Sequence, residues 1–162
     1  MAFSDGVLND VQQIFQGEVI ETSPHNIDSF DKFEDGLIIG RFAKLDSGSV
    51  DNLDGSATPF LVGVPKRKVN KAIDSGVYVG SGDLQDKNAD VCNFGRITVE
   101  ATSAAVPTEG AQVYTINGAA NADNGRVTQD NLETDALIVP GAIFKEEKQT
   151  GIWVVTIQNY LI

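Results

Sequence analysis

The sequence predicts a mainly β protein, a small β-barrel or sandwich with an N-terminal arm that carries a short amphipathic helix. From Leu37 onward, short runs rich in Val, Ile, Phe and Thr alternate with Gly, Asn, Asp and Pro, a texture typical of strands joined by tight turns. A chain of 162 residues with 41% hydrophobic residues can bury one adequate core. No block recurs at a fixed period, which argues against a solenoid or a propeller. We therefore divide the chain into an N-terminal arm and connector, residues 1–36, and a β-barrel domain, residues 37–162.

The helix of the arm is predicted over residues 4–16, because large apolar side chains recur there at helical spacing. These side chains are Val7, Leu8, Val11, Ile14 and Phe15. Ser4 or Asp5 can cap the helix at its start, and Gly17 can end it. A helix of about a dozen residues is marginal in water on its own. Its apolar stripe must therefore be buried against either the chain's own β-core or another subunit, and the sequence leaves both open.

The rest of the chain is predicted to be a connector followed by strands. Residues 21–36 are acidic and turn-rich, with Ile27, Phe30 and Phe33 as apolar anchors. Beyond them we predict seven or more strands. The candidates are residues 37–43, 59–64, 76–79, 91–100, 111–116, 126–128, 136–144 and 152–157.

Patterns within these strands predict which faces are buried. Near residue 98, apolar and polar residues alternate, which predicts one buried and one wet face. The buried face would hold Ile97, Val99 and Ala101, and the wet face Thr98, Glu100 and Thr102. Leu137–Val139 is apolar at successive positions, which predicts burial on both faces, under a neighbouring layer or a partner. Gly118 and the run Asp123–Gly125 each predict a tight hairpin turn.

The inventory of reactive side chains argues against catalysis. The chain has one His, His25, in a polar segment, and one Cys, Cys92, in a setting typical of a small apolar strand residue. One His and one Cys cannot supply the nitrogen and sulfur ligands of a zinc site. The sequence contains no nucleophile elbow and no phosphate-binding Gly loop. We therefore predict a non-enzymatic protein with no catalytic residues and no cofactor.

Calcium is the metal that the sequence leaves open. Asp46–Gly55 gathers carboxylate and amide oxygens in one stretch, and Asn121–Asn124 does so to a lesser extent. The first stretch lacks the terminal Glu and the ligand spacing of an EF-hand, and Asp, Asn and Gly are also ordinary turn residues. We prefer the turn interpretation and assign no metal ligand.

Charge restricts the partners of this protein. A formal net charge of -11 would repel nucleic acid phosphates and anionic membrane surfaces. No stretch approaches the roughly 18 consecutive apolar residues of a spanning helix, and the N-terminus lacks the features of a secretory signal. We expect a soluble protein that binds neither nucleic acid nor membrane. The basic cluster Lys66, Arg67, Lys68 and Lys71 is either a docking patch or a solvated loop.

Several short motifs follow one another in an informative order. They are Val7–Asp10, Phe15–Gly17, Ser23–Ile27, Gly40–Phe42, Pro59–Val64, Gly95–Val99, Gly110–Tyr114, Val139–Phe144 and Gly151–Val155. In this order they resemble the structural cement proteins of tailed bacteriophages, small decoration proteins that tie neighbouring capsomers together. The resemblance implies a small β-barrel with an N-terminal extension and no active site, present in many copies per particle. It also implies a position on the outer capsid surface of the virion, after synthesis in the host cytoplasm.

The resemblance makes the major capsid protein the expected partner, whose subunit contacts this protein would stabilise. The interface candidates are Val7, Leu8, Val11, Ile14, Phe15, Lys66, Arg67, Lys68 and Lys71. We expect a homo-oligomer, preferably a trimer at a three-fold position, with a dimer next. The alternative is a carbohydrate-binding or other adhesion β-module of a phage tail or secreted protein, although Trp153 lies in an apolar strand and is expected in the core. A third hypothesis is a hydrolase with an unrecognised carboxylate pair.

Overall fold

The described residues form eleven β-strands and no helix. The computed structural model describes residues 16–20, 22–68, 76–80, 86–103 and 105–159. The strands are β1 (Asn26–Phe30), β2 (Leu37–Ile38), β3 (Ala43–Asp46), β4 (Ser49–Asn52), β5 (Phe60–Pro65), β6 (Val77–Tyr78), β7 (Ala89–Glu100), β8 (Gln112–Ile116), β9 (Val127–Thr128), β10 (Ala136–Gln149) and β11 (Ile152–Ile157). The predicted mainly β class is confirmed. The predicted helix over residues 4–16 lies outside the described residues, except for Gln16.

The twelve-residue strand β7 is the centre of the sheet. Eight strands follow the order β4-β3-β5-β7-β11-β10-β8-β9, and β1 joins them by pairing with β7. Strands β2 and β6 form a separate pair, and every ladder is antiparallel. Both β1 and β5 pair with Val91 and Cys92, whereas β11 pairs with residues 95–100. Strand β7 therefore holds three neighbouring strands together.

The sheet is open, so the predicted closure into a barrel is wrong. Within the described chain, the end strands β4 and β9 do not pair with each other. Strand β9 meets the end of β7 by a single bridge between Ala101 and Val127, and not by a ladder. A closed barrel needs strands that are hydrogen-bonded all the way round. The twist of the sheet brings its far end back towards β7 without completing that circuit.

Two clusters of buried side chains form the core, and they share strands β5 and β7. The larger cluster contains Trp153, and the smaller one surrounds Tyr78. On β7, Cys92 belongs to the larger cluster and its neighbour Val91 to the smaller one, because successive side chains on a strand point to opposite faces. The expectation that Trp153 lies in the core is confirmed, since its side chain is only 6% exposed. Its ring meets that of Phe144 edge to face, with centroids 5.7 Å apart.

The strands predicted from residue 59 onward are confirmed, and their predicted bounds agree with the structure within two residues. The exception is β10, which continues to Gln149, beyond the predicted end at residue 144. The predicted strand over residues 37–43 is wrong, because the chain turns between β2 and β3. The turn contains Gly40, whose φ of +76° is unfavourable for other residues. A Cβ at Gly40 would also collide with the side chain of Gln16. The backbone bends here so that residues 16–20 can lie beside it.

Two polar stretches that were predicted as connector and loop contain strands. Residues 21–36 include β1, whose pairing with β7 is reinforced by a 2.6 Å hydrogen bond from Asn93 Nδ2 to Asp28 Oδ2. The stretch Asp46–Gly55 includes β4, which forms a hairpin with β3. Ser47 and Gly48 make the turn, with φ of +50° and +84° as a two-residue hairpin requires. Both strands pair through polar residues, so hydrophobic pattern did not reveal them.

The expected faces of two strands also need correction. Thr98 and Thr102 were expected to face water, but both are buried because other segments cover them. Thr98 lies under residues 17–19. Thr102 Oγ1 donates a hydrogen bond to Glu133 Oε2 at 3.1 Å. Ile138 is half exposed, so the prediction that the chain itself buries both faces of Leu137–Val139 is wrong. That a partner covers Ile138 stays a prediction. Gly118 and Asp123–Gly125 both lie in the single loop between β8 and β9 rather than in two hairpins.

Candidate docking surface at the arm root

Residues 16–20, here called the arm root, attach to the C-terminal part of β7 by main-chain hydrogen bonds. The N–H of Gly17 donates to the carbonyl of Thr98 at 2.7 Å, and the N–H of Thr98 donates to the carbonyl of Glu18 at 2.9 Å. The N–H of Glu18 also donates to Thr98 Oγ1 at 2.8 Å. Val19 and Ile97 form an antiparallel bridge. The arm root therefore pairs with the sheet as a short strand would.

Gly17 allows this close approach. Its φ is +76°, in the left-handed region that glycine also adopts when it ends a helix. A Cβ there would collide with the side chain of Ile39 and lie 3.0 Å from the carbonyl oxygen of Pro65. The carbonyl of Gly17 accepts a 2.8 Å hydrogen bond from the N–H of Arg67. The arm root is thus joined directly to the basic cluster that the sequence singled out.

Three of the four residues of the basic cluster lie in the part of the chain that the structure describes. Lys66, Arg67 and Lys68 follow β5 directly, whereas Lys71 and the stripe residues lie outside the described residues. The stripe residues are Val7, Leu8, Val11, Ile14 and Phe15. The structure therefore brings Arg67 to the base of the arm, while the contact made by the stripe stays a prediction.

Lys68 is engaged within the chain rather than pointing freely into water. Its Nζ donates to the carbonyl and, at 3.1 Å, to Oδ1 of Asn88. It also lies 5.2 Å from the centre of the Tyr78 ring and 4.0 Å from Asp86 Oδ1. The hydroxyl of Tyr78 donates to the carbonyl of Lys66 at 2.7 Å. Because these contacts engage the ammonium group of Lys68 within the chain, Lys66 is a better candidate than Lys68 for contact with a partner's charge.

A groove of about 470 Å³, here called the end groove, opens where β7 ends. Its walls come from residues 100–103 and 105–107, Arg126 and the hairpin between β10 and β11. At its rim, Glu100 Oε2 accepts hydrogen bonds from Arg41 Nε at 2.6 Å and from Arg126 Nε at 3.2 Å. Arg126 Nη1 donates to Asp123 Oδ1 at 2.6 Å. No sequence motif predicts this network, because Arg41, Glu100 and Arg126 come from stretches far apart in the chain.

The acidic stretch proposed as a calcium candidate surrounds a buried lysine. Lys44 is 4% exposed, and its Nζ donates to Asp54 Oδ2 at 2.7 Å and to Ser56 Oγ at 3.1 Å. Burial alone would lower the pKa of Lys44, but Asp54 and nearby carboxylates raise it above its usual value. The hydrogen bonds from Lys44 and Ser56 lower the pKa of Asp54 to about 2. The described residues contain no group of three His, Cys, Asp or Glu side chains that could hold a metal ion.

The two residues with catalytic potential have ordinary surroundings. His25 is exposed, and its Nδ1 lies 2.9 Å from the carbonyl oxygen of Ser23. Burial raises the pKa of the Cys92 thiol to about 11, so this side chain stays protonated at neutral pH. The interpretation of Cys92 as a small apolar strand residue is confirmed by its complete burial.

Comparison with known proteins adds the decisive observation. The model of the XM1 gp53 minor capsid protein family matches residues 3–159. The chain belongs to this family. It is also similar to a chain in a solved structure of the capsid of Myoviridae phage XM1, with 44% sequence identity, 99% of each chain covered and a TM-score of 0.89. No curated protein matches the chain.

Membership in the XM1 gp53 family makes this chain a capsid-associated protein of a bacteriophage. The resemblance to phage capsid proteins that the ordered motifs indicated is thereby confirmed. The match includes the N-terminal segment, since it begins at residue 3. In this XM1 gp53 family member, the part of the chain that the structure describes has no helix suited to spanning a membrane.

Proposed function

We propose that this XM1 gp53 family protein is a non-enzymatic cement protein that binds the outer surface of the phage capsid. There it stabilises contacts between subunits of the major capsid protein. The observation that carries the proposal is the full-length similarity to a chain of the XM1 capsid. The buried position of Trp153, the one Trp of the sequence, disfavours the alternative of a sugar-binding module with that ring as its platform.

The structure suggests how such a protein would hold two capsid subunits. The sheet is a rigid platform, and the arm root is bonded to its central strand. The arm root lies next to Arg67, so an apolar stripe attached to it could act together with the basic cluster. Modest contacts at several points add up strongly when they are linked through one rigid body. A homo-oligomer, preferably a trimer at a three-fold position, would multiply these contacts further.

Removal of residues 1–15 tests the role of the arm. We expect the truncated protein to remain folded, because the arm root from Gln16 onward keeps its hydrogen bonds to β7. Its affinity for expanded, undecorated capsids should fall by about tenfold or more, which corresponds to about 1.4 kcal/mol of lost contact. Co-sedimentation with such capsids measures the affinity, and circular dichroism checks the fold.

Two matched variants separate the apolar stripe from the polar side of the arm. Ile14→Asp places a charge in the stripe, and Gln13→Asp places the same charge beside it. We expect Ile14→Asp to weaken capsid binding and Gln13→Asp to retain it. Full-length protein that fails to sediment with capsids, or shows saturable binding on a glycan array instead, would refute the cement proposal. Normal binding by the truncated protein would refute only the role of the arm.

The basic cluster is tested independently of the arm. We expect Lys66→Gln together with Lys71→Gln to weaken capsid binding, because Lys66 precedes Arg67, which contacts the arm root, and Lys71 belongs to the same basic cluster in the sequence. Lys145→Gln is the control, since Lys145 lies on β10 and faces Glu109 at 3.5 Å. Equal binding by both variants would show that the cluster is a solvated loop.

A further inference from the structure

The sequence contains two Asn-Gly dipeptides, Asn117-Gly118 and Asn124-Gly125, and both lie in the loop between β8 and β9. Asn is a thermolabile residue, and a following glycine favours its deamidation because glycine has no side chain to hinder ring closure. We propose that Asn117 is a latent deamidation site, which the side chain of Asn124 keeps unreactive in the folded protein. The proposal goes beyond the proposed function on the capsid and does not depend on it.

The chemistry of deamidation defines what the fold must prevent at Asn117. The main-chain nitrogen of Gly118 loses its proton and attacks Cγ of Asn117. A C–N bond forms, and the bond from Cγ to Nδ2 breaks, so that the amide nitrogen takes up a proton and leaves as ammonia. Water then opens the resulting succinimide at either carbonyl, which yields aspartate or isoaspartate. The reaction therefore requires a free N–H at Gly118 and a free side chain at Asn117.

The attacking nitrogen is held by Asn124. The N–H of Gly118 donates to Asn124 Oδ1 at 2.7 Å, and Asn124 Nδ2 donates to the carbonyl of Gly118 at 2.7 Å. One side chain therefore engages both main-chain groups of Gly118. Because the amide proton is already bonded to an acceptor and Gly118 is buried, removal of that proton requires the loop to open first.

The side chain under attack is held by a different part of the chain. Asn117 Oδ1 accepts a 2.9 Å hydrogen bond from the N–H of Gly55, and Asn117 Nδ2 donates to the carbonyl of Ser56 at 2.8 Å. A Cβ at Gly55 would lie 2.5 Å from the main-chain nitrogen of Ala119, so the two segments are in close contact. Attack on Asn117 therefore also requires release of its side chain from residues 55–56.

The second dipeptide is protected by the main chain instead. The N–H of Gly125 donates to the carbonyl of Ile116 at 2.9 Å, a bond that joins the two ends of the loop. A Cβ at Gly125 would lie 2.6 Å from the carbonyl oxygen of Phe42, so this end of the loop is closely packed. Only at Gly118 is the attacking N–H held by a side chain that a substitution can remove.

Deamidation of the full-length protein tests the proposal, with Asn124→Ala as the variant. The folded proteins are incubated in mildly alkaline buffer, and peptide mapping by mass spectrometry follows the conversion of Asn117. We expect Asn124→Ala to speed this conversion at least about tenfold, because the two hydrogen bonds that hold the attacking residue are lost. Asn121→Ala is the matched control, since its side chain bonds to Asp123 and Asp135 in the same region. It should leave the rate at Asn117 unchanged.

Two outcomes of this comparison would overturn the proposal. One is an unchanged rate at Asn117 in Asn124→Ala, which would show that the bond to Gly118 does not limit the reaction. The other is equal acceleration by Asn121→Ala, which would show that any loosening of the loop has the same effect. Circular dichroism checks that both variants are folded.

Wild-type protein provides a second readout that does not depend on how a variant folds. Hydrogen exchange of the Gly118 amide and deamidation of Asn117 both begin with loss of the same proton. Their rates should therefore rise in proportion as urea, below the unfolding transition, opens the loop. NMR measures the exchange, and peptide mapping measures the deamidation. A deamidation rate that stays constant while the Gly118 amide exchanges faster would contradict the proposal.

Discussion

At the scale of single residues, Gly17 has both an unusual backbone conformation and no space for a side chain. We expect Gly17→Ala to lower the free energy of unfolding by about 2–4 kcal/mol, since left-handed strain costs about 1 kcal/mol and overpacking about 1–3 kcal/mol. Gly110→Ala is the matched control, because Gly110 has a φ of +83° and nothing within 4 Å of a Cβ. Gly110→Ala should lower the free energy of unfolding by only the cost of the backbone strain, about 1 kcal/mol. Urea unfolding measures both, and equal losses would show that the space around Gly17 can adjust.

The hydrogen-bonded pair of Lys44 and Asp54 makes the stability of the fold depend on pH. Folding lowers the pKa of Asp54 from 3.8 to about 2, so its carboxylate stabilises the fold above about pH 4. That contribution is lost as the pH falls through about 2. We expect Asp54→Asn to lower the melting temperature at pH 7, because Lys44 is then left buried with a weaker partner. The difference from wild type should shrink between pH 4 and pH 2.

Thermal unfolding over this pH range checks the prediction. Glu109→Gln is the control, since Glu109 pairs with Lys145 at the surface and such pairs contribute little. A constant difference between Asp54→Asn and wild type down to pH 2 would contradict the assigned role of Asp54.

At the scale of elements, the junction between the arm root and β7 depends on Thr98. Thr98→Val removes the acceptor of the Glu18 N–H and leaves that donor unpaired, at a cost of about 1–2 kcal/mol. Thr156, on the neighbouring strand β11, has a buried hydroxyl with no hydrogen-bond partner among the described residues. Thr156→Val should therefore be neutral or stabilising. Chemical denaturation measures both variants, and a neutral Thr98→Val would show that the arm root is held by its main-chain bonds alone.

At the scale of the whole molecule, the two core clusters share strands and should unfold together. Trp153 reports on the larger cluster, and Phe33→Trp with Trp153→Phe would report on the smaller one, since the Phe33 and Tyr78 rings lie 5.7 Å apart. We expect the two fluorescence transitions in urea to coincide, because β7 supplies side chains to both clusters. Separate midpoints would show that the clusters are independent folding units.

The sequence by itself determined the mainly β class, most strands after residue 59, and the burial of Cys92 and Trp153. These features follow from local runs of apolar residues, which carry their own signal. The ordered motifs also indicated a phage capsid protein, as the family match confirms.

Only the tertiary structure decided how distant segments meet. The break at Gly40 and the polar strand β1 arise from contacts with residues far away in sequence, which no local pattern encodes. Strand β4 pairs with its neighbour β3, but its mostly polar residues carry no hydrophobic pattern that would reveal it. The openness of the sheet likewise depends on whether its two end strands meet. The junction of Gly17 with Thr98 and Arg67 joins three separate stretches of chain. Such contacts are set by three-dimensional packing and main-chain hydrogen bonding, because every residue type offers nearly the same backbone groups.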